Sequence, residues 1–506
     1  MNSVHLSPLE FADPLIEGLA DKAGVPLDQA RFTVGVLLSF PMGLLMRAVV
    51  YRVPMWARHV LSMVLGTQLF WYIYRAEMVH AFTCSGVVFL LVRWAPARWS
   101  HVLVFVWSLG YILAMHVHTM VTAYLSWSID FTAPLMVLVI KLTSYAFCLH
   151  DSVRAQAGEA LTPRQARYAV ARPATLLEFW GWVLFFPGFF GGPAVEFSDY
   201  RRYMDGSMFA DEPGHRIPHC VRACVRALLG TAFCIGVVAL FGRYGTEYIR
   251  HEIADPARAV RYPLWQRLLI TYRGCFIQRC KYYICWLMGE VACRCCGCGY
   301  GGKVRDARTG ALVDDWDNSV NIYPVRFELA PSMKVAVDVW NICTEKWLRH
   351  YCYERLLGTR FAPLRRVATF LLSALWHGLY PAYYIFFLSA AVHREVASLA
   401  RRKLRPYVLA IPQRYHAQAV YDVLTTACTI VTMNYCAVTF AMLSFTDSIN
   451  LWRNTYFIGH YHVLLGLIVL PLIPTYKGAA KKDDSDSKKD KKEAEAPSAT
   501  ETKKTL

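Results

Sequence analysis

Residues 370–388 read FLLSALWHGLYPAYYIFFL, and none of these nineteen side chains is fully charged at neutral pH. An apolar stretch of this length can cross about 30 Å of hydrocarbon as a helix. One imidazole, that of His377, lies near its middle. The stretch therefore predicts a membrane segment that carries a polar group, and such groups commonly face a cavity or a partner.

The rest of the chain has the same apolar character. Its 506 residues are 55% hydrophobic and 18% charged, which is too apolar for a soluble enzyme of this length. Helices are expected because an open sheet would leave backbone groups unpaired in lipid. We predict an all-α, polytopic membrane bundle with about eleven transmembrane or re-entrant helices. The apolar windows lie near 32–50, 58–75, 81–94, 102–126, 131–149, 174–193, 227–241, 264–288, 367–392, 420–446 and 455–474.

The charges predict the orientation and the domain boundaries. Although the net charge is +17, the basic residues form short clusters between apolar windows, which is typical of membrane topology rather than of nucleic-acid binding. Residues 1–30 are acidic, so we expect a lumenal N-terminal segment, followed by a membrane-embedded domain over 31–476. Residues 477–506 are charged and predict a disordered tail.

The tail also predicts a location. Lys503 and Lys504 are the fourth and third residues from the C-terminus, an arrangement that resembles the dilysine signal of endoplasmic reticulum membrane proteins. The expected location is therefore the endoplasmic reticulum membrane, with a cytosolic C-terminus. The alternative is a solvated charge run that ends in two lysines by chance.

A cysteine cluster, CRCCGC, occupies residues 293–298. Its spacing lacks the paired C-x2-C elements and the partner histidines of a zinc site, so we expect no metal. Reduced thiols or lipid-modified cysteines are the simpler interpretations.

A second polar residue, Asn341, suggests a partner for His377. The two residues lie at similar chain distances from a turn predicted over 358–363, so in two antiparallel helices their side chains would share a depth. A neutral imidazole can take a proton from an alcohol, and a carboxamide can donate to a developing oxyanion. The pair therefore suits acyl transfer to a hydroxyl. The structural alternative is a histidine hydrogen-bonded into helix packing.

Other catalytic classes have weaker support. The chain lacks a G-x-S-x-G elbow, an H-E-x-x-H zinc motif and a Walker-type phosphate loop, which argues against a serine hydrolase, a zinc protease and a nucleotidase. Cys343, close to Asn341, could carry an acyl group, but nothing in its sequence surroundings favours a thiolate.

Several motifs occur in an order that resembles the membrane-bound O-acyltransferases, and within them the lysophospholipid acyltransferase branch. The resemblance covers about residues 20 to 470. Asn341 and His377 match the asparagine and histidine of that family, whereas Ala382 stands where relatives often have glycine. The motifs are WSIDFTAPLMVLVIKLTS (127–144), GGPAVEFSDY (191–200), KYYICWLMGE (281–290), GCGYGG (297–302), WNICTEKWL (340–348) and SALWHGLYPAYY (373–384).

The resemblance implies a helical bundle around an internal catalytic chamber, which acyl-CoA enters from the cytosol and the lysophospholipid from the bilayer or the lumen. It implies that His377 acts as the general base on the free hydroxyl of a lysophospholipid and that Asn341 assists. No cofactor is expected beyond acyl-CoA as co-substrate. Aromatic residues in the resembling motifs are candidates for the substrate path, although packing is the commoner role of such residues: Phe197, Tyr282, Trp286, Tyr300, Trp340, Trp376 and Tyr380.

Two alternatives stay open at this point. An acyltransferase of the same family could use a sterol, diacylglycerol or a protein as the acceptor. A transporter could use intramembrane His and Asn as a proton or substrate site, but it would be expected to show two matching halves, and the sequence has no internal repeat. The oligomeric state is open.

Overall fold

The computed structural model describes residues 8–24, 26–126, 129–189, 191–306, 308–412 and 415–476. Helices dominate these residues, which confirms the all-α membrane class. One small antiparallel hairpin pairs β1 (Gly302–Arg305) with β2 (Leu312–Asp315). Opposite charges face each other across it, since Lys303 is paired with Asp314. The predicted tail over 477–506, including the dilysine pair, lies outside the described residues.

The chain divides into two compact units. Among the described residues, unit 1 comprises those up to Phe233 together with Tyr283–Asn321, and unit 2 comprises Cys234–Tyr282 and those from Ile322 to Tyr476. Two long helices, α10 (Val221–Phe241) and α13 (Leu264–Cys296), each contain one boundary between the units, and a third boundary lies between Asn321 and Ile322.

Unit 1 holds the N-terminal helices. They are α1 (Asp13–Ala23), α2 (Leu27–Val49), α3 (Met55–Tyr74), α4 (Val79–Trp94), α5 (Ala97–Thr122), α6 (Thr132–Gln156), α7 (Pro163–Tyr168), α8 (Leu176–Val183) and α9 (Phe197–Asp205). Lys141 of α6 is buried and donates to the carbonyl oxygens of Trp182 (2.7 Å) and Val183 (3.3 Å). The ammonium thus satisfies carbonyl groups at the C-terminal end of α8.

Unit 2 holds the C-terminal helices. They are α11 (Thr246–Ile249), α12 (Pro256–Ala259), α14 (Pro324–Glu328), α15 (Met333–Val339), α16 (Ile342–Leu348), α17 (Arg365–His377), α18 (Pro381–Ala410), α19 (Ala417–Met442), α20 (Phe445–Asn454) and α21 (Ile458–Leu472). A buried apolar cluster joins α11 and α13 to α19 and α20, and the rings of Tyr435 and Trp452 stack within it at 5.4 Å.

Among the described residues, six helical segments are long and apolar enough to cross a membrane, or seven if the bent pair of α20 and α21 counts as one span. The prediction of a multi-pass membrane protein is therefore confirmed. The six segments are Leu27–Arg52, Met55–Trp94, Ala97–Thr122, Thr132–Gln156, Val221–Ala254 and Ala417–Met442.

Some predicted windows do not become single apolar helices. Window 174–193 contains only the eight-residue α8, which ends ahead of a turn at Pro187 and Gly188. Window 264–288 lies within α13 and carries several basic side chains. Window 367–392 is divided between α17 and α18. Length and hydropathy do not reveal where a backbone breaks, and for this reason the count of about eleven includes such pieces.

The cysteine cluster lies at the C-terminal end of α13. Its four side chains, those of Cys293, Cys295, Cys296 and Cys298, are buried and have free thiols. Cys296 donates to the Tyr203 hydroxyl (3.2 Å), and Cys298 donates to the Cys293 carbonyl oxygen (3.5 Å). The thiols therefore take part in packing, and the expected absence of a metal stays a prediction.

Candidate functional site

His377 lies at a break between two helices. It is the last residue of α17, and Gly378 follows with φ 135°, a value that favours glycine. Tyr380 then precedes Pro381, the first residue of α18, where proline fits because the first helical residue needs no amide donor. The helical backbone is therefore interrupted between His377 and Pro381.

A hydrogen bond to the backbone orients the ring of His377. Its Nδ1 atom lies 2.7 Å from the carbonyl oxygen of Ser373, one turn earlier in α17. Because a carbonyl oxygen only accepts, Nδ1 carries the proton, and in a neutral ring the basic lone pair then belongs to Nε2. This is the arrangement that a general base needs.

Aromatic rings surround the imidazole. Phe440 of α19 meets it nearly edge-on with the ring centroids 5.1 Å apart. The other rings lie at centroid distances of 4.6 Å (Trp376), 5.1 Å (Phe387) and 6.0 Å (Tyr383). Such rings form an apolar surface around the half-buried imidazole.

Asn341 connects two short helices, α15 and α16. Its backbone is left-handed, with φ 43° and ψ 55°, a conformation that asparagine tolerates better than most residues. Its Oδ1 atom accepts a hydrogen bond from the Thr344 hydroxyl (2.9 Å). That contact orients the carboxamide with Nδ2 as its donating end, as an oxyanion donor requires.

Burial also affects the next turn of α16. It raises the pKa of Glu345, and the positive charge of Arg349 offsets only part of this rise. The Glu345 amide donates to the Asn341 carbonyl oxygen (3.0 Å). The carboxyl therefore lies in a poorly hydrated region one helical turn after Asn341.

Ring contacts link the neighbours of Asn341 to those of His377. Trp340 packs edge-on against Tyr282, with ring centroids 6.1 Å apart. The ring of Tyr383 lies 6.0 Å from that of His377. The direct link joins Trp347 of α16 to Trp376 of α17, at 5.9 Å.

The turn predicted over 358–363, between the segments that carry Asn341 and His377, is also present. After α16 the chain continues through a π-helical stretch, Arg349–Tyr353, and a 3₁₀ turn, Glu354–Leu356. Gly358 then adopts φ 76° ahead of α17. The segments that carry Asn341 and His377 are therefore helical, and they are joined at a glycine whose backbone conformation permits a turn.

The predicted substrate-path residues divide between the units. Tyr282, Trp340, Trp376 and Tyr380 belong to unit 2 and take part in the ring contacts around the pair, Tyr380 through Tyr383 at 6.0 Å.

The other three belong to unit 1. Phe197 packs edge-on against Tyr145 at 4.8 Å, Tyr300 stacks on Phe209 at 5.5 Å, and Trp286 is buried. Substrate roles for all seven residues stay predictions.

Sequence reasoning missed several neighbours of the pair. Tyr383 and Thr344 lie inside the motifs that carry His377 and Asn341, so their position was a usable signal. Phe440 comes from α19 and Phe327 from α14, and no feature of the sequence connects either ring with the pair.

Unit 2 also contains an apolar cavity of about 310 Å³ between α13, α19 and α20. Among the described residues, its lining includes none of the predicted site residues. It is lined by Trp265, Leu268, Leu269, Thr271, Tyr272, Ile430, Val431, Asn434, Tyr435, Leu451 and Thr455.

Comparison with known proteins adds independent evidence. Residues 99–439 match the sequence model of the membrane-bound O-acyltransferase family. The chain is 31% identical to a lysophospholipid acyltransferase of Schizosaccharomyces pombe, over 88% of this chain and 87% of that protein. It is 28% identical to membrane-bound glycerophospholipid O-acyltransferase 2 of Rattus norvegicus, over 94% and 90% of the two chains. It is 27% identical to membrane-bound glycerophospholipid O-acyltransferase 1 of Homo sapiens, over 90% and 92%.

Proposed function

The chain belongs to the membrane-bound O-acyltransferase family, and from that membership we propose that it transfers a fatty acyl chain from acyl-CoA to the free hydroxyl of a lysophospholipid. Relatives named as lysophospholipid or glycerophospholipid acyltransferases, similar over most of the chain, support this acceptor. They favour it over a sterol, diacylglycerol or a protein.

The observation that carries the proposal is the hydrogen bond between His377 Nδ1 and the Ser373 carbonyl oxygen. It leaves Nε2 as the basic nitrogen of the neutral ring. In the proposed reaction Nε2 takes the hydroxyl proton of the lysophospholipid while the hydroxyl oxygen attacks the thioester carbonyl carbon. The carbon–sulfur bond then breaks, and the departing thiolate of coenzyme A takes the proton from the imidazolium.

Asn341 is the proposed stabiliser of the oxyanion. Its Nδ2 group would donate to the thioester oxygen as negative charge develops there, and the Thr344 contact at Oδ1 keeps the amide in that orientation. The ring contacts that link Trp340 to Tyr282 and Trp347 to Trp376 support convergence of the two groups on one chamber.

Both substrates have plausible surfaces. The rings of Phe387 and Phe440 suit an acyl chain near His377. Lys346 of α16 and Arg349, which directly follows this helix, are exposed and could attract the phosphates of coenzyme A. We also propose that the protein resides in the endoplasmic reticulum membrane with its C-terminus in the cytosol.

Product analysis with purified protein tests the proposal. The protein is incubated with labelled acyl-CoA and a panel of acceptors that contains lysophospholipids of several headgroups, cholesterol and diacylglycerol. We expect labelled diacyl phospholipid and free coenzyme A in equal amounts. Labelling of cholesterol or diacylglycerol in preference to every lysophospholipid would overturn the proposed acceptor, and the absence of any acyl transfer would overturn the activity.

A further inference from the structure

Unit 2 contains a partly buried ion pair that the proposed chemistry does not use. Arg279 of α13 donates from Nε and Nη2 to the two carboxylate oxygens of Glu328, at 2.7 and 2.8 Å. Its Nη1 donates to Oδ1 of Asn434 in α19, at 2.7 Å. Asn434 in turn donates to the carbonyl oxygen of Ile430, at 2.7 Å. All three nitrogen atoms of the guanidinium thus donate hydrogen bonds, which fixes its orientation.

Such a pair contributes little net stability by itself. Arg279 is 7% exposed, and removing two charges from water costs about as much as their attraction returns. Apolar residues of similar volume often serve stability equally well at such a place. A bidentate pair differs from them because it fixes the position of one helix relative to another.

Helix α14, which carries Glu328, contacts the two residues that directly precede Asn341. Glu328 is the last residue of α14, and the ring of the preceding Phe327 lies 4.7 Å from that of Trp340, with the planes 40° apart. At the other end of α14, the Tyr323 amide donates to the carbonyl oxygen of Val339, at 3.2 Å. Helix α14 therefore holds both residues that directly precede Asn341 in the chain.

Asn341 depends on this support. The flanking helices, α15 and α16, have seven residues each, which is too short for independent stability. The left-handed backbone between them is also unfavourable for an L-residue. Thr344 orients the amide within α16, but contacts from outside the two helices must fix where these helices place Asn341.

We propose that Arg279 and Glu328 are positioning residues, which hold α14 so that Phe327 and Trp340 aim the carboxamide of Asn341. This inference rests on the proposed function, in which Asn341 takes part in acyl transfer. Neither residue is proposed to touch a substrate.

A double-mutant cycle tests the coupling. Arg279→Lys keeps the charge but loses the bidentate geometry. We expect it to lower kcat about ten- to hundredfold with little change in the KM for acyl-CoA, because a small misplacement of a reacting group is costly. In an Asn341→Asp background the same change should have almost no further effect, since the aimed donor is already gone. Glu328→Gln should behave in the same way.

Two further variants keep the test decisive. Phe327→Leu leaves the ion pair in place and removes the ring contact with Trp340, so it should reproduce the kcat loss even if a variant of the pair fails to fold. Lys334→Gln removes an exposed ion pair with Asp338 on α15 (3.7 Å) and should leave kcat unchanged.

The outcomes separate this inference from the proposed function. Suppose that Asn341→Asp lowers kcat and that Arg279→Lys or Phe327→Leu lowers kcat by its full factor in that background as well. The positioning role is then wrong, and the proposed function stands. The same holds if the Arg279 and Phe327 variants are fully active while Asn341→Asp is slow. If Asn341→Asp turns over normally, the role of Asn341 in the proposed function is wrong, and nothing is left to position.

Discussion

The imidazole Nδ1 atom of His377 donates across 2.7 Å to the carbonyl oxygen of Ser373, so the basic nitrogen of the neutral ring is Nε2. A second histidine, His393 of α18, makes the same contact with Ser389 (2.8 Å), but its Nε2 atom lies 3.2 Å from the carbonyl oxygen of Gly459. Both ring nitrogens of His393 thus contact backbone carbonyl oxygens of unit 2.

The first prediction compares these two histidines. His377→Gln should lower kcat by about 10²- to 10⁴-fold, because the amide cannot accept the hydroxyl proton. His393→Gln is the matched control, for which we expect a lower melting temperature and a kcat within a few-fold of the native value. Turnover by each purified variant with labelled acyl-CoA is the measurement. Near-native kcat in His377→Gln would remove the residue from the mechanism.

The second prediction concerns the carboxamide of Asn341. Asp and Gly both tolerate the left-handed backbone at this position (φ 43°), and both lack the Nδ2 donor. Asn341→Asp and Asn341→Gly should therefore fold and lose about 10²- to 10³-fold in kcat.

Asn341→Ala is a poorer probe, because a methyl side chain in the left-handed region adds about 1 kcal/mol of strain. If the Gly variant were fast and the Ala variant slow, the backbone rather than the amide would matter. Melting temperatures of all three variants, measured with their kcat values, decide between these outcomes.

The parts of this site that are local in sequence are the ones that could be predicted. Gly378 and Pro381 indicate a helix break directly, and Gly358 indicates the turn between the segments that carry Asn341 and His377. Each of these residues acts through its own backbone geometry. The residue types of His377 and Asn341, together with the motifs around them, were sufficient to identify both as candidate site residues.

The surroundings of the site depend on tertiary contacts that no local pattern encodes. Phe440 reaches His377 from α19, and Arg279 binds Glu328 and Asn434, which lie 49 and 155 residues away in the chain. Likewise, the apolar composition of window 174–193 hides the turn after α8, because hydropathy averages over the residues that break a helix.

The third prediction tests the close packing of α21. A Cβ atom on Gly459 would lie 2.2 Å from Cε1 of Tyr435, which stacks on Trp452 and borders the 310 Å³ cavity. Gly459→Ala should therefore displace the ring and lower the stability by roughly 1 to 3 kcal/mol.

Gly236 in α10 is the matched control, since a Cβ atom there meets nothing within 4 Å. Gly236→Ala should be neutral or slightly stabilising, because alanine favours the helix. Thermal unfolding of both variants in the same detergent is the measurement. Equal melting temperatures would show that Tyr435 can move without cost.

The fourth prediction concerns Glu178, in the first turn of α8 and outside the candidate spans. Partial burial alone would raise its pKa, but hydrogen bonds from Arg172 and Thr175 outweigh that effect and lower the pKa from 4.5 to about 2. A carboxyl with a depressed pKa stabilises the folded state fully above its unfolded value. That contribution is lost as the pH falls from about 4.5 towards 2.

Glu178→Gln isolates the charge. Glutamine can keep the reciprocal hydrogen bonds of the capping box with Thr175 while it removes the ion pair with Arg172 (2.9 Å). Because the Arg172 side chain is half exposed, we expect a loss of only roughly 1 kcal/mol at neutral pH. The difference in melting temperature between native protein and variant should shrink as the pH is lowered from 7 to 3. Curves that stay parallel over this range would show that Glu178 has the same pKa in the folded and unfolded chains.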